Sequence, residues 1–65
     1  MGKRIRLMRS AKGFNLTELA RRASMDKGYL CRVELGVIQP GIPAVRRIAK
    51  ILGIPVSSII EARAA

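Results

Sequence analysis

The chain reads as an all-α domain of four helices and a short fifth. Three observations carry that reading. Apolar residues recur at i, i+3 and i+4 within the segments that Gly and Pro leave intact. Side chains suited to N-caps precede two of these segments, and glycines follow others. No segment alternates apolar and polar residues over a useful strand length.

The elements follow in order. In residues 3–12, Ile5 and Met8 share a face, most of the charge lies elsewhere, and Gly13 is the stop. Residues 16–23 place Leu16, Leu19, Ala20 and Ala23 on one stripe, with Arg21 and Arg22 off it. Asn15 suits the N-cap, and Glu18 three residues on completes a capping-box-like pattern. Residues 27–35 turn Leu30 and Val33 inward, with Asp26 as N-cap. A Gly/Pro-rich loop covers residues 36–43. Residues 42–52 bury Val45, Ile48, Ala49 and Leu52; Pro43 is tolerated in the first turn, where its missing N–H is not needed. Gly53 ends that helix, and residues 56–60 suffice for one or two turns with Ile59 packing back.

Composition narrows the function. The 65 residues carry 13 Lys+Arg against 4 Asp+Glu, a formal charge of +9, and 49% are hydrophobic. That is too apolar for a disordered basic tail and too short for a large enzyme or a two-domain cleft. One Cys and no His exclude an internal disulfide and a zinc site of the usual kind. No apolar run approaches the ~18 residues of a membrane span, and no signal peptide is read at the start. Four scattered acids and no His assemble no general acid–base constellation, so neither an enzyme nor a cofactor is expected. The expectation is a small soluble intracellular domain attracted to nucleic acid rather than to membrane.

The informative stretch is residues 16–34. Two short helices meet across a turn of about three residues, with Leu19, Ala20, Ala23, Met25, Leu30 and Val33 small or apolar where crossing helices would touch. Ala20 matters most, because a larger side chain would push the second helix away. This is the pattern of a helix-turn-helix, in which one helix braces another in the DNA major groove.

Several blocks then resemble one family: Ile5-Arg6-Leu7-Met8-Arg9, Gly13-Phe14-Asn15, Glu18-Leu19-Ala20, residues 30–36 and residues 48–54. In order and spacing they look like the phage Cro/repressor (Xre-type) helix-turn-helix family, over roughly residues 4–60. The resemblance implies a compact five-helix, lambda-repressor-like DNA-binding domain that acts as a homodimer, at least on DNA, on a palindromic operator. The whole of residues 1–65 is expected to be this single domain, with residues 27–35 as the recognition helix.

Lys27, Gly28, Cys31 and Arg32 match the family's base-reading positions. With Leu30 and Val33 inward, a helical turn of ~100° per residue also points Gly28, Cys31, Arg32 and Leu35 outward. Arg32 suits bidentate recognition of guanine, worth ~1–3 kcal/mol of discrimination. Lys27 reads guanine or binds phosphate, and Gly28 permits close approach or is simply tolerated. Cys31 is read as a small base contact rather than a redox switch. Expected phosphate contacts are Arg6, Arg21, Arg22, Asn15 and Leu16 at the start of the second helix, and Tyr29, which alternatively is a half-buried structural residue. Arg9 and Glu34 are expected to pair, as in the resembled family, tying the first helix to the third. Arg46, Arg47 and Lys50 read as a solvated stripe on the fourth helix.

Three departures from the family pattern stand out. Leu16 replaces a polar phosphate clamp. Ser24 stands where Gly is usual, which a serine accommodates if its backbone is not left-handed. Leu35, Val37 and Ile38 make an often basic loop apolar, with Ile38 expected in the core. With outward Leu7 they hint at a protein-binding surface, so the rival reading is an interaction module, such as an antitoxin or adaptor, working through the 35–42 loop. The leading expectation is a sequence-specific regulator of double-stranded DNA, a repressor of a phage, plasmid or mobile element with no appended sensor domain.

Overall fold

The apolar stripes converge on one core in the computed structural model, which describes residues 1–60. The elements are α1 (Gly2–Ala11), α2 (Leu16–Arg22), α3 (Lys27–Glu34), α4 (Ile42–Leu52) and a 3₁₀ turn at Val56–Ser58. No strand occurs among the described residues. Ile5 of α1, Leu19 of α2, Leu30 of α3, Val45 and Ile48 of α4, and Ile59 after the turn are each 0% exposed. Burying such a side chain contributes about 1.5–3 kcal/mol, so these residues are the main force holding so short a chain. Ala20 is 2% exposed in the same cluster. Its lack of bulk lets α2 and α3 cross closely.

The short fifth helix expected at residues 56–60 is corrected to a single 3₁₀ turn. The Ser58 and Ile59 amides donate to the carbonyls of Pro55 and Val56, both at 2.9 Å, three residues back. The segment is too short to recover the cost of nucleating an α-helix. Its product is the placement of Ile59 in the core. The expected span to residue 65 includes positions 61–65, which lie outside the described residues. Elsewhere the boundaries shift by a residue: α1 begins at Gly2 and ends at Ala11, α2 ends at Arg22, and α3 ends at Glu34 with Leu35 as its C-cap.

All four α-helices close on a left-handed residue: Gly13 (φ 81°), Ser24 (φ 56°), Gly36 (φ 81°) and Gly53 (φ 69°). The next amide then reaches back five residues, from Phe14 to Arg9 at 3.1 Å, Met25 to Ala20 at 2.9 Å, Val37 to Arg32 at 2.9 Å and Ile54 to Ala49 at 3.0 Å. These are Schellman closures, which satisfy the last helical carbonyls. Ser24 is therefore left-handed, contrary to the condition under which a serine was expected to fit. The closure demands that conformation, and the 2.9 Å bond from Met25 to Ala20 offsets the strain of a side chain there.

Gly2 sets the approach of α1 to α3. A Cβ on Gly2 would overlap the Val33 carbonyl oxygen and lie 2.9 Å from the Glu34 carbonyl oxygen. The first turn of α1 thus rests directly on the last turn of α3, backbone against backbone. That contact positions the helix expected to read DNA.

Candidate nucleic-acid interface

The site is built on the capped pair α2 and α3. Asn15 is in extended conformation and its side-chain oxygen accepts from the Glu18 amide at 2.7 Å. The Glu18 carboxylate runs down the helix to Arg22 Nη2, at 3.4 Å. The capping-box expectation is thus met by Asn15, while Glu18 is engaged with Arg22 four residues on. Asp26 caps α3 by accepting from the Tyr29 amide at 3.2 Å.

Core packing then decides what α3 leaves outside. Leu30 and Val33 are buried, and Lys27 and Arg32 are exposed. Gly28 and Cys31 are half-buried on the same outer side. The Arg32 guanidinium folds back along the helix: its Nη1 lies 3.3 Å from where a Gly28 Cβ would be, and the Asp26 carboxylate lies 3.0 Å from that point. Gly28 therefore leaves room for the side chain four residues later. Sequence reading assigned it only backbone approach or tolerance; the signal for this role was the i, i+4 spacing to a long side chain.

The flanks are mixed in character. Arg6 and Arg21 are exposed. Arg22 lies with its guanidinium 5.2 Å from the centroid of Phe14 while also meeting Glu18. This cation–π contact partly commits it to holding the residues before α2. Leu16 and Tyr29 are both half-buried against the core. Leu35 and Val37 are 67% and 69% exposed, Ile42 is 47% exposed, and Ile38 packs on the core.

Behind the site, Arg9 and Glu34 form a two-pronged pair. Arg9 Nε donates to Glu34 Oε2 at 2.7 Å and Nη2 to Oε1 at 3.0 Å. Arg9 Nη1 also donates to the Phe14 carbonyl at 3.0 Å. The hydrogen bond to Glu34 raises the Arg9 pKa, burial opposes it, and Coulombic attraction to Glu34 adds to the rise. The carboxylate is thereby neutralised locally, next to a surface rich in cations.

Arg47 is exposed, as expected of the stripe on α4, but it also has a tertiary partner. Its Nε donates to the Ala23 carbonyl at 2.9 Å, tying α4 to the end of α2. Arg46 and Lys50 are exposed. Sequence reading missed this contact because periodicity places Arg47 on the outer face without showing what abuts that face.

Comparison with known proteins converges on this arrangement. A family model described as a helix-turn-helix domain matches residues 1–59. The HTH-type transcriptional regulator SinR of Bacillus subtilis (strain 168) is 31% identical over 62 residues, covering 94% of this chain and 56% of SinR. The chain thus spans about half the length of that relative. A structure of a SinR–SinI protein complex matches with TM-score 0.88 at 31% identity, over 92% of this chain and 59% of that one. A crystal structure of SinR, the master regulator for biofilm formation, in complex with DNA matches with TM-score 0.85 at 32% identity, over 91% of this chain and 98% of that one. The capped helix pair, its small-residue crossing and the family match agree: the chain belongs to the Xre-type helix-turn-helix family of DNA-binding domains.

Proposed function

We propose that this chain is a sequence-specific, double-stranded DNA-binding transcriptional regulator that acts as a repressor. The observation that carries the reading is the outer face of α3. Two exposed cations, Lys27 and Arg32, flank the small Gly28 and Cys31, while the inner face is fixed by Leu30 and Val33. Small residues let the helix lie deep in the groove, and a helix of about 12 Å spans roughly four base-pair steps. In this reading Arg32 holds guanine, Lys27 reads a base or a phosphate, and Cys31 touches a base edge. Arg6, Arg21, Arg22, Tyr29 and the amides beside Asn15 and Leu16 hold the backbone.

The finer parts of the reading are a single domain over residues 1–65, a cytoplasmic setting, a homodimer formed at least on DNA, and a palindromic operator. Origin in a phage, plasmid or mobile element rests on the family resemblance. The structure of SinR in complex with DNA supports the choice of DNA as ligand. No helix among the described residues is long and apolar enough to cross a membrane.

Selection of bound sites from random duplex DNA tests the proposal. A palindrome with half-site centres about one helical turn apart is expected. Recovery of no enriched sequence would overturn the sequence-specific reading.

A second reading, a protein-interaction module, is favoured by the exposure of Leu35, Val37 and Ile42, and a relative is known in complex with the protein SinI. Val37→Glu is expected to abolish partner binding at this loop while sparing a single DNA half-site. Equal loss of both would count against a separate surface.

A further inference from the structure

The α2–α3 turn carries a hydroxyl that neither the core nor the DNA-reading face uses. Ser24 follows Arg21 and Arg22 at three and two residues' distance, and all three are exposed. The remaining hydroxyl residues, Ser10, Thr17, Tyr29, Ser57 and Ser58, lack such a pair of arginines upstream. The other three helices close on Gly, whereas α2 closes on this serine at φ 56°. A reactive group is thus displayed at a conformation that favours glycine.

A second observation comes from α4. Arg47 Nε donates at 2.9 Å to the Ala23 carbonyl, part of the same peptide unit as the Ser24 amide. This anchors the Arg47 guanidinium on the peptide unit that joins Ala23 to Ser24. Its two Nη groups donate to no protein acceptor among the described residues. A guanidinium anchored on the peptide unit that leads into an exposed hydroxyl residue, with no further acceptor among the described residues, is suited to receive a phosphoryl group.

We propose that Ser24 is a phosphoryl-acceptor site for a serine/threonine kinase that selects upstream arginines, and that phosphorylation there releases the protein from DNA. The co-substrate is a nucleoside triphosphate. Ser24 Oγ bonds to the γ-phosphorus as the bond from that phosphorus to the β–γ bridging oxygen breaks. The nucleoside diphosphate leaves, and the hydroxyl proton passes to the kinase's base. Arg21 and Arg22 supply the charge that an acidic kinase groove recognises, and Arg47 receives the product phosphate.

The effect on DNA rests on the DNA-binding reading above. Ser24 precedes Lys27, the first residue of α3, by three positions, a span of at most about 11 Å. That is comparable with the Debye length of about 8 Å at physiological salt. A phosphoryl charge of about −1.5 to −2 therefore repels the DNA backbone and also competes for Arg21. Asp26, the α3 cap, adds charge of the same sign on that side.

The test uses the purified chain, ATP and the catalytic subunit of a kinase with this arginine preference. Mass spectrometry is expected to find one phosphoryl group, on Ser24, and none on Ser24→Gly. Binding to a selected duplex at fixed salt is expected to fall at least about tenfold on phosphorylation, with Ser24→Gly unaffected by the treatment. No transfer, transfer to another residue, or a change below about twofold would overturn the proposal. If the unmodified chain binds no duplex, the DNA-binding reading has failed instead. The acceptor site is then decided by labelling and by melting: phosphorylation should raise the melting temperature of the native chain but not of Arg47→Ala.

Discussion

Arg9 and Glu34 grip each other through two hydrogen bonds of 2.7 and 3.0 Å, joining the last turn of α1 to the last turn of α3. Their side chains are only 16% and 7% exposed. Removing one partner of so enclosed a pair leaves the other desolvated and unpaired, which costs about 3 kcal/mol or more. Arg9→Ala also frees the Phe14 carbonyl, so it is expected to destabilise more than Glu34→Ala. Glu34→Gln retains one acceptor and should lose about 1–2 kcal/mol. Urea unfolding of the three variants checks the order, and equal losses would mean that the Phe14 bond contributes nothing.

The raised pKa of Arg9 fixes the pH behaviour of this pair on the alkaline side. A group whose folded pKa lies above its unfolded value stabilises fully below the unfolded pKa and loses that contribution only as pH rises through the folded one. Both lie in or above the ordinary arginine range. The stability gap between the native chain and Arg9→Met is therefore expected to stay constant from neutral to moderately alkaline pH. A gap that closes by mildly alkaline pH would contradict it.

Ser24→Gly relieves a left-handed non-glycine residue at the α2 closure. The gain is expected to be about 1 kcal/mol. For a domain of this size that corresponds to a rise of about 4–8 °C in Tm. A fall in Tm would show that the serine side chain supports the turn.

Much of this was legible in the sequence, for physical reasons that also mark where legibility ends. Leu19, Ala20, Leu30 and Val33 announce their helices because burial on one face imposes a period of 3.6. Asn15 and Asp26 announce the starts because an oxygen one step outside a helix finds an orphan amide. Ser24 announces a turn but not the sign of φ, since serine suits turns of either kind. Arg47 is legible only as an outer-face cation, and Gly2 lies outside the helix read over residues 3–12. Their partners, the Ala23 carbonyl and the Val33 and Glu34 carbonyls, are backbone atoms brought in by tertiary packing, and backbone atoms leave no mark in the side-chain pattern. Arg32 over Gly28 lies between these cases, being local in sequence yet dependent on rotamer.

Gly2→Ala tests the backbone contact between α1 and α3. In an open helix the change would stabilise by up to about 1 kcal/mol. Here the added Cβ meets backbone carbonyls, which cannot rotate aside. A net loss of about 1–3 kcal/mol is expected, the usual range for overpacking. Calorimetry reads the sign directly, and a gain in stability would mean that α1 shifts without consequence.

Arg32 and Arg21 are both exposed cations within the proposed interface, yet they should fail differently. In the proposed reading Arg32, on the outer face of α3, swings its guanidinium off Gly28 to a base edge, so Arg32→Ala should cost about 1–3 kcal/mol on the selected site and little on mixed-sequence DNA. Arg21 is exposed on α2, at the flank of α3, and in the proposed reading it holds a phosphate. Arg21→Ala should weaken both duplexes alike and reduce the log–log salt slope by about 0.9, the loss of one released counterion. Measuring the two variants on both duplexes across a salt series separates base reading from charge attraction. Should Arg32→Ala weaken both duplexes equally, with the same reduction in slope, Arg32 is another phosphate contact. Base recognition would then pass to Lys27 and Cys31, and the guanine expected opposite Arg32 should be missing from the selected sequences.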